Sequence, residues 1–231
     1  MSYEGLDNGF SKFNDREDRL NFVRKVYGIL GFQLALSAAI ISIPMTSDKA
    51  RIWIDTHWGL MIAAMVLSIV VSCTMICCLQ LTRMVPINYV LMTIFTLCEA
   101  YMLAGIAAKY DQEVVIQAAV TTAGVTLALT MFACFTSADF VLIGPILVLI
   151  LSLSLCMSMM FMFVFMFNKL HTFYCMMGVI IYSIYLIVDT QLIMGGKRYE
   201  IELDDYILGA IILYTDIVML FLYLIQLFGR K

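Results

Sequence analysis

The chain alternates between long apolar runs and short polar connections. Each of seven runs is long enough, at about 20 residues, for a helix to cross the hydrocarbon core of a bilayer. They extend roughly from Val26 to Met45, Trp58 to Leu79, Asn88 to Ala108, Glu113 to Thr136, Phe140 to Phe167, Phe173 to Met194 and Tyr206 to Phe228. The pattern therefore predicts an all-α, polytopic membrane protein, a bundle of seven transmembrane helices.

The polar positions outside these runs divide the chain into two parts. We expect residues 1–25 to form a polar N-terminal arm and residues 26–231 to form the seven-helix membrane domain. The arm lacks the apolar segment of a signal peptide, which favours a retained, soluble arm. Lys and Arg are slightly more frequent on the arm's side of the bundle, which favours a cytoplasmic N-terminus.

The amino-acid composition agrees with a membrane location and excludes nucleic acid as a partner. The chain is 63% apolar and 13% charged, so it has too little polar surface to cover a soluble domain. The formal net charge is -3, and no segment concentrates Lys and Arg as phosphate binding requires. The sequence therefore predicts an integral membrane protein with the lipid bilayer, not nucleic acid, as its partner.

Motifs for catalysis are absent from the sequence. It contains no Ser, His and Asp set, no glycine-rich phosphate loop and no paired catalytic acids at a known spacing. The seven Cys residues lie within apolar runs, where packing between helices is a better interpretation than a metal site. The Met-rich run CMSMMFMFVFMF is better interpreted as lipid-facing than as a copper site. We therefore expect no enzymatic activity and no cofactor.

Three acids lie inside the apolar runs: Glu99 in the third, Asp189 in the sixth and Asp216 in the seventh. An ionised carboxylate at the centre of a bilayer costs about 3 kcal/mol on insertion scales, so such residues usually face the interior of a bundle. A functional pair is one interpretation, and protonated acids that merely hydrogen-bond neighbouring helices are the alternative.

The helix faces that carry the two aspartates favour the functional interpretation. Each aspartate shares its face with tyrosine and glycine, and the aligned residues are Gly178, Tyr182 and Tyr185 for Asp189, and Gly209 and Tyr223 for Asp216. Hydroxyl-bearing stripes are typical of bundle interiors, and the glycines would let helices six and seven approach closely. We therefore expect these two helices to pack together.

Whether the two carboxyls meet depends on the relative height of the helices. Counted from Met194 and Asp205, the levels of Asp189 and Asp216 differ by about 9 Å at 1.5 Å per residue. They meet only if helix six continues toward Arg198 or if one helix tilts. If they meet, two like charges in a low dielectric would share one proton at acid pH, and repel or recruit a cation at higher pH. The pair would then be a proton sensor.

Two segments carry a resemblance to a known family. "FVRKVYGILGFQL" opens the first span, and "DTQLIMGGKRYEIELDDYILGAIILYTDIVMLFLYLIQLFG" closes the chain. With seven spans, the sequence resembles the transmembrane Bax inhibitor motif family and is most similar to its lifeguard branch. The resemblance implies a seven-helix fold with a central seventh helix. It also implies a calcium-permeable leak across internal membranes, gated by protons at Asp189 and Asp216.

The resemblance also implies a calcium-binding role for the aspartates, a cellular role, a location and partner proteins. It implies that Asp189 and Asp216 bind the calcium that passes, and that cell death is suppressed through lowered stored calcium. The endoplasmic reticulum or Golgi is the expected location, with apoptosis-regulating membrane proteins as potential partners. One feature departs from the family: bacterial relatives pair the sixth-span aspartate with a second-span arginine. Here Arg83 lies beyond the end of that span.

Two alternatives remain open beside a calcium channel. The first is a proton-coupled cation transporter, although the sequence shows no internal repeat of the kind common in such proteins. The second is a non-conducting adaptor that acts through protein partners. For a channel, Glu99, Tyr182, Tyr185 and Tyr223 are candidate residues of the ion pathway. We expect Glu99→Gln to lower conductance without altering pH dependence.

Overall fold

The structure is a computed structural model that describes residues 4–143 and 168–229. The regular secondary structure of these residues consists of eight α-helices and a short 3-10 helix, Phe140–Ile143. The helices are α1 (Glu4–Thr46), α2 (Asp48–Thr56), α3 (Trp58–Cys77), α4 (Leu79–Arg83), α5 (Ile87–Ala107), α6 (Gln112–Phe135), α7 (Asn168–Met194) and α8 (Tyr206–Phe228). The described chain is thus mostly helical, as predicted for an all-α bundle.

Six segments of the described chain are long and apolar enough to cross a membrane. They are Arg16–Thr46, Trp58–Cys77, Ile87–Ala107, Gln112–Phe135, His171–Met194 and Tyr206–Phe228. They coincide with six of the seven predicted spans, and the polytopic helical bundle is confirmed. The predicted fifth span, Phe140 to Phe167, lies outside the described residues except for its first four positions, so the count of seven depends on it.

The last helix, α8, lies at the centre of the described bundle. It packs against α1, α5, α6 and α7. Buried side chains occur all around it, including Ile207, Leu213, Leu220 and Ile225. A helix that is apolar on every face is stable only when other helices or lipid surround it. The other helices therefore enclose the span that carries Asp216.

The peripheral helices direct apolar side chains outward. Val66, Ile69 and Val70 of α3 and Val120 and Leu127 of α6 are each about half exposed or more. Such a surface would be unfavourable in water, because contiguous apolar patches of this extent are rare on soluble proteins. These faces are the ones that contact lipid.

The N-terminal arm continues into the first span without a break. Helix α1 includes both, and Phe22 of the arm is 3% exposed and packs in the same core as Val26 and Leu30. The connection after α1 also differs from a simple loop, because it contains the short helix α2. Ile54 of α2 is buried, whereas Ile52 and Trp53 are exposed. An amphipathic segment of this kind suits the membrane interface.

Contacts at the helix ends define two faces of the bundle. Arg19, near the start of the spanning part of α1, contacts Glu200, and Arg83 before α5 contacts Asp205 at the start of α8. At the other end of α8, Gly229 lies against Tyr110 of the α5–α6 connection. At 1.5 Å per residue, α8 is about 34 Å long, so it crosses the hydrocarbon core completely.

Candidate functional site

Asp189 of α7 and Asp216 of α8 meet inside the bundle. Their carboxyl groups lie within hydrogen-bonding reach of one another. Asp216 is only 6% exposed, and Asp189 is partly buried. Two anions at this distance would repel each other, so the contact favours a proton shared by the two carboxyls or a cation bound between them. The arrangement therefore contains the buried acid pair that the sequence suggested.

Two glycine contacts explain why the acids meet. Gly209 of α8 lies beside Ile193 of α7, and a methyl group added at Gly178 of α7 would stand 2.5 Å from the ring of Tyr223. The segments between these contacts have nearly equal lengths, about 22 Å along α7 and about 21 Å along α8. The two helices are therefore aligned side by side over most of the membrane thickness.

This alignment corrects the expected offset of about 9 Å between the carboxyls. That value placed the end of α7 and the start of α8 at one level, but Gly209, almost one turn into α8, is the residue beside Ile193. Measured from this contact, Asp189 and Asp216 differ in height by only about 4–5 Å, which side chains can bridge. Helix α7 ends at Met194 and does not continue toward Arg198.

Tyrosines surround the acid pair on the side away from the α7–α8 connection. Tyr182 is 8% exposed and interacts electrostatically with Asp216. Its ring lies 5.6 Å from that of Tyr223 and 5.8 Å from that of Tyr185, centroid to centroid. The Tyr174 and Tyr223 hydroxyls are 3.0 Å apart. The candidate residues Tyr182, Tyr185 and Tyr223 are thus brought together next to the aspartates.

One carboxylate oxygen of the acid pair lacks a hydrogen-bond donor among the described residues. Oδ2 of Asp216 is buried and has no hydrogen-bond donor among the described side chains or backbone, apart from a proton shared with Asp189. An unpaired buried carboxylate oxygen is costly, so it favours either a proton or a cation at this position. The pair alone supplies up to four carboxylate oxygens, fewer than the six to eight oxygens typical of calcium.

In the part of the chain that the structure describes, no further His, Cys, Asp or Glu side chain completes a metal site at the aspartate pair. Residues 4–143 and 168–229 contain no group of three or more His, Cys, Asp and Glu side chains that could hold a metal ion. Calcium bound at the aspartates would therefore depend on water or neutral oxygens for its remaining ligands. That coordination suits an ion in transit better than one held permanently.

Glu99 of α5 is not part of the aspartate pair, and it lies on a different side of α8 from Asp216. Its carboxyl lies near Ser68 of α3 and near Tyr214 of α8. Tyr214 and Asp216 are two residues apart, which turns their side chains about 200° from each other around the helix. The structure thus brings Asp189 and Asp216 together and places Glu99 in a second polar cluster.

Basic residues hold the connection between the two acid-bearing helices. Arg19 bonds Glu200 at 2.9 Å and the carbonyl oxygen of Ile201 at 2.8 Å. Arg83 bonds both carboxylate oxygens of Asp205 at 2.7 Å and Glu202 at 2.6 Å. Arg83 therefore contacts the start of α8 instead of the sixth-span aspartate that the resemblance pairs with arginine.

Lys197 of this connection and Gln191 of α7 both contact the segment that follows α6. Lys197 donates to the carbonyl oxygens of Ser137 and Ala138, at 3.1 Å and 3.2 Å. Gln191 donates to the carbonyl of Ala138 and accepts from the amide of Phe140, both at 2.9 Å. Sequence reasoning missed Gln191, although a polar residue two positions from Asp189 inside an apolar run was a visible signal.

The backbone of this connection turns sharply at two glycines. Gly195 and Gly196 have φ angles of 71° and 75°, in the left-handed region that side chains with a Cβ rarely adopt. The turn lets the amide of Ile201 donate back to the carbonyl of Leu192 at 3.1 Å. The connection is therefore folded onto the end of α7, and the heights of α7 and α8 are fixed relative to each other.

Comparisons with known proteins place the chain in a family. A family model described as "Inhibitor of apoptosis-promoting Bax1" matches residues 19–231. The chain is 31% identical to Protein lifeguard 3 of Homo sapiens over 226 residues, which cover 96% of this chain and 73% of the relative. It is 30% identical to the Mus musculus protein of that name over 223 residues, covering 95% and 72%.

A plant relative is similar over a comparable length. Protein LIFEGUARD 3 of Arabidopsis thaliana is 29% identical over 213 residues, which cover 90% of this chain and 84% of the relative. The family match extends from α1 to the end of the chain and includes both aspartate-bearing helices. The chain therefore belongs to the Bax inhibitor-1 family of apoptosis-related membrane proteins.

Proposed function

We propose that this protein is a pH-regulated calcium leak channel of internal membranes. The observation that supports it most strongly is the contact between Asp189 and Asp216 on two aligned helices. Buried acids inside a membrane are retained chiefly where they move or sense ions, because their insertion is costly. The protein acts without enzymatic chemistry, and calcium is its cargo and not a resident cofactor.

Protonation of the pair is the proposed gating event. At acid pH the two carboxyls share one proton, and the resulting hydrogen bond holds α7 against α8. At higher pH both groups are anions, and they either repel each other or bind the incoming cation between them. Because α8 is surrounded by α1, α5, α6 and α7, a change at the pair is transmitted to the whole bundle.

The tyrosines next to the pair form the proposed constriction. Tyr182, Tyr185 and Tyr223 fill the space beneath the aspartates with rings whose centroids are under 6 Å apart. Separation of α7 from α8 would disrupt this cluster and expose hydroxyl and carboxylate oxygens, which are the ligands that calcium prefers. Glu99 is a further candidate on the ion pathway, at a separate position across α8.

The cellular role follows from family membership. A leak that lowers stored calcium in the endoplasmic reticulum or Golgi would suppress apoptosis, in keeping with the description of the family as inhibitors of apoptosis-promoting Bax1. Direct binding of apoptosis-regulating membrane proteins is an additional proposed interaction.

Flux measurements on purified protein in liposomes test the proposal. Vesicles loaded with a calcium-sensitive dye should admit calcium at pH 8 and admit much less at pH 6. Asp55→Asn is a suitable control variant, because Asp55 is an exposed acid on α2. Absence of flux under all conditions would contradict a channel and favour an adaptor. Calcium movement only when protons move the other way would instead indicate a transporter.

A further inference from the structure

A groove lies between α1 and α6, and the central helix α8 forms its floor. Its volume is about 670 Å³, which is within the range of sites that hold small molecules in proteins. Both α1 and α6 pack against α8, but the facing walls carry small side chains, Ala38 of α1 and Ala119 and Ala123 of α6. These alanines leave the space between the two helices open.

The floor of the groove is one face of α8. Ile217, Val218 and Phe221 are spaced at the three- and four-residue intervals that place side chains on one side of a helix. They are 6%, 6% and 8% exposed, whereas the neighbouring Leu220 is completely buried. The groove therefore reaches the central helix.

The rim of the groove is continuous with the lipid-facing surface. Leu127 of α6 lines the groove and is 65% exposed, and Val120 of the same helix is 67% exposed. On the side of α1, the lining residue Ser42 is followed by the exposed Ile43. A molecule that enters the groove from the side therefore comes from the hydrocarbon of the bilayer.

The groove extends along the helices over about one leaflet. Its residues at one end are Thr46, where α1 ends, and Gln112, where α6 begins, and at the other end Leu34 and Thr126. These separations correspond to about 18 Å of α1 and about 21 Å of α6. One leaflet supplies half of a hydrocarbon core of roughly 30 Å. The groove thus matches the acyl-chain region of one leaflet and the polar boundary beside it.

The lining of the groove favours a hydrocarbon guest. None of the described lining residues is charged. Ser37, Ser42, Thr46 and Thr122 each donate their hydroxyl hydrogen to a backbone carbonyl of their own helix, at 2.7–3.0 Å. Thr126 is the exception, since its Oγ1 has no partner among the described residues. A polar guest would lose its hydration with little replacement, whereas an acyl chain needs no hydrogen bonds.

The polar end of the groove carries charges of both signs. Asp48 and Lys49 follow the end of α1, and Lys109 and Asp111 precede the start of α6. All four side chains belong to exposed residues. Ammonium groups attract a lipid phosphate, and carboxylates attract a quaternary ammonium group. This mixture of charges complements a zwitterionic headgroup.

We propose that the groove binds one acyl chain of a zwitterionic phospholipid of the phosphatidylcholine type. The chain lies between α1 and α6 against Ile217 and Phe221, and the headgroup lies at the level of Lys49 and Lys109. The lipid thereby contacts the helix that carries Asp216. The site stands apart from the aspartate pair, so it holds whether or not the pair gates calcium.

Photo-crosslinking of the purified full chain in lipid nanodiscs tests the site. The probe is phosphatidylcholine with a diazirine in one acyl chain, and mass spectrometry identifies the labelled peptides. We expect label on residues 217–221 of α8 as well as on the exposed face of α3 around Val66 and Ile69, which reports ordinary surrounding lipid. Label on α3 without label on α8 would overturn the proposal, as when residues 144–167 or a second copy of the chain cover the groove.

Groove-filling variants show whether the lipid reaches α8 through this opening. Ala119→Phe and Ala123→Phe each place a ring between the walls, and each should abolish the label on α8 while the label on α3 stays. Ala38→Phe fills the groove from the opposite wall and supplies the same test if a variant of α6 folds poorly. Ala128→Phe is the matched control, because Ala128 is an exposed residue of α6 that does not line the groove.

Three results with these variants and lipids would contradict the proposal. The first is label on α8 that survives in the groove-filling variants, since the chain would then reach α8 by another route. The second is loss of the α8 label in Ala128→Phe as well, since the effect would not be specific to the groove. The third is stronger labelling of α8 by an anionic phosphatidylglycerol with the same diazirine chain, which would overturn the zwitterionic headgroup.

Discussion

Arg83 forms a bidentate ion pair with Asp205, with both nitrogen to oxygen distances at 2.7 Å. Asp205 is the residue immediately before α8, and its side chain is 8% exposed. The pair therefore attaches the start of the aspartate-bearing central helix to the segment that precedes α5. Arg19 and Lys197 hold the other parts of the same connection.

Replacement of Arg83 should weaken this attachment without introducing a pH dependence. The hydrogen bond with Asp205 is the main cause that raises the pKa of Arg83 above its usual value. A raised basic pKa adds stability below the unfolded-state pKa, which for arginine lies above about 12. Arg83→Gln should therefore lower the thermal unfolding midpoint by a constant amount between about pH 6 and 9.

Two comparisons test the geometry of this pair. Arg83→Lys should recover only part of the stability, because an ammonium group cannot reproduce the two parallel bonds. The loss should also shrink as salt is added, since Arg83 is 37% exposed. If Arg83→Gln and Asp205→Asn lower the midpoint independently, so that the double variant shows the sum, the pair is not a unit.

The sequence predicts the spans well because a single physical rule governs them. Any stretch of about 20 apolar residues satisfies its backbone hydrogen bonds as a helix in lipid, whatever its neighbours do. The pairing of helices six and seven was also predictable, because Gly178 and Gly209 share faces with Asp189 and Asp216. These features depend on positions within one helix or on two consecutive helices.

Contacts between distant segments could not be predicted in the same way. The height of α8 relative to α7 depends on a connection that folds back onto Leu192, and no periodicity encodes that fold. Arg83 binds Asp205, more than a hundred positions away, and Ser37 contacts Tyr214 across a similar separation. Such contacts follow from the packing of the complete bundle, which local patterns do not determine.

Gly178 provides a test of the α7–α8 interface. A methyl group there would stand 2.5 Å from the Tyr223 ring, so Gly178→Ala should displace the ring or separate the helices. Overpacking of this kind costs about 1–3 kcal/mol, measurable as reduced resistance to denaturant in micelles. Gly124→Ala is the matched control, because nothing lies within 4 Å of the added methyl group.

The control and a compensating change make the result interpretable. Gly124→Ala should leave stability unchanged or raise it by up to about 1 kcal/mol, since alanine is the better helix former. Removal of the Tyr223 ring by Tyr223→Leu should rescue much of the Gly178→Ala defect. A Gly178→Ala protein as stable as Gly124→Ala would mean that α7 and α8 are not packed as described.

Gln191 should be among the most sensitive polar residues of α7. It is 1% exposed and satisfies both the carbonyl of Ala138 and the amide of Phe140. Gln191→Leu keeps the size but leaves these groups unpaired, at a cost of about 2 kcal/mol in the free energy of unfolding. Gln226→Leu is the matched control, because among the described residues Gln226 bonds only the Leu222 carbonyl of its own helix. Equal losses for both variants would contradict the role of Gln191 between segments.

Glu99→Gln should separate conduction from pH sensing. Glu99 lies near Ser68 and Tyr214, on the opposite side of α8 from the aspartates. The variant should therefore lower calcium flux into liposomes while the pH of half-maximal flux stays where it is in the wild-type protein. A pH midpoint displaced as far as in the aspartate variants would show that Glu99 titrates together with the pair.

The aspartate pair makes the most specific prediction. Asp189→Asn and Asp216→Asn each remove one charge while nearly preserving shape, so either change removes the proton shared between the two carboxyls. Wild-type flux should rise with pH between about 5 and 8, the range in which a buried carboxyl sharing a proton titrates. Each single variant should show a flat profile over this range.

The double variant decides whether the two acids act as one unit. If they share a proton, the first substitution already abolishes the coupled titration, and the second adds little; independent sites would give effects that sum. Low flux in a single variant has two explanations, a bundle held shut or a lost calcium ligand, and calcium binding at equilibrium separates them. A shut bundle retains calcium affinity at its remaining carboxylate, whereas loss of a ligand reduces that affinity. Single variants that keep the wild-type pH profile would show that Asp189 and Asp216 serve only to hold α7 and α8 together.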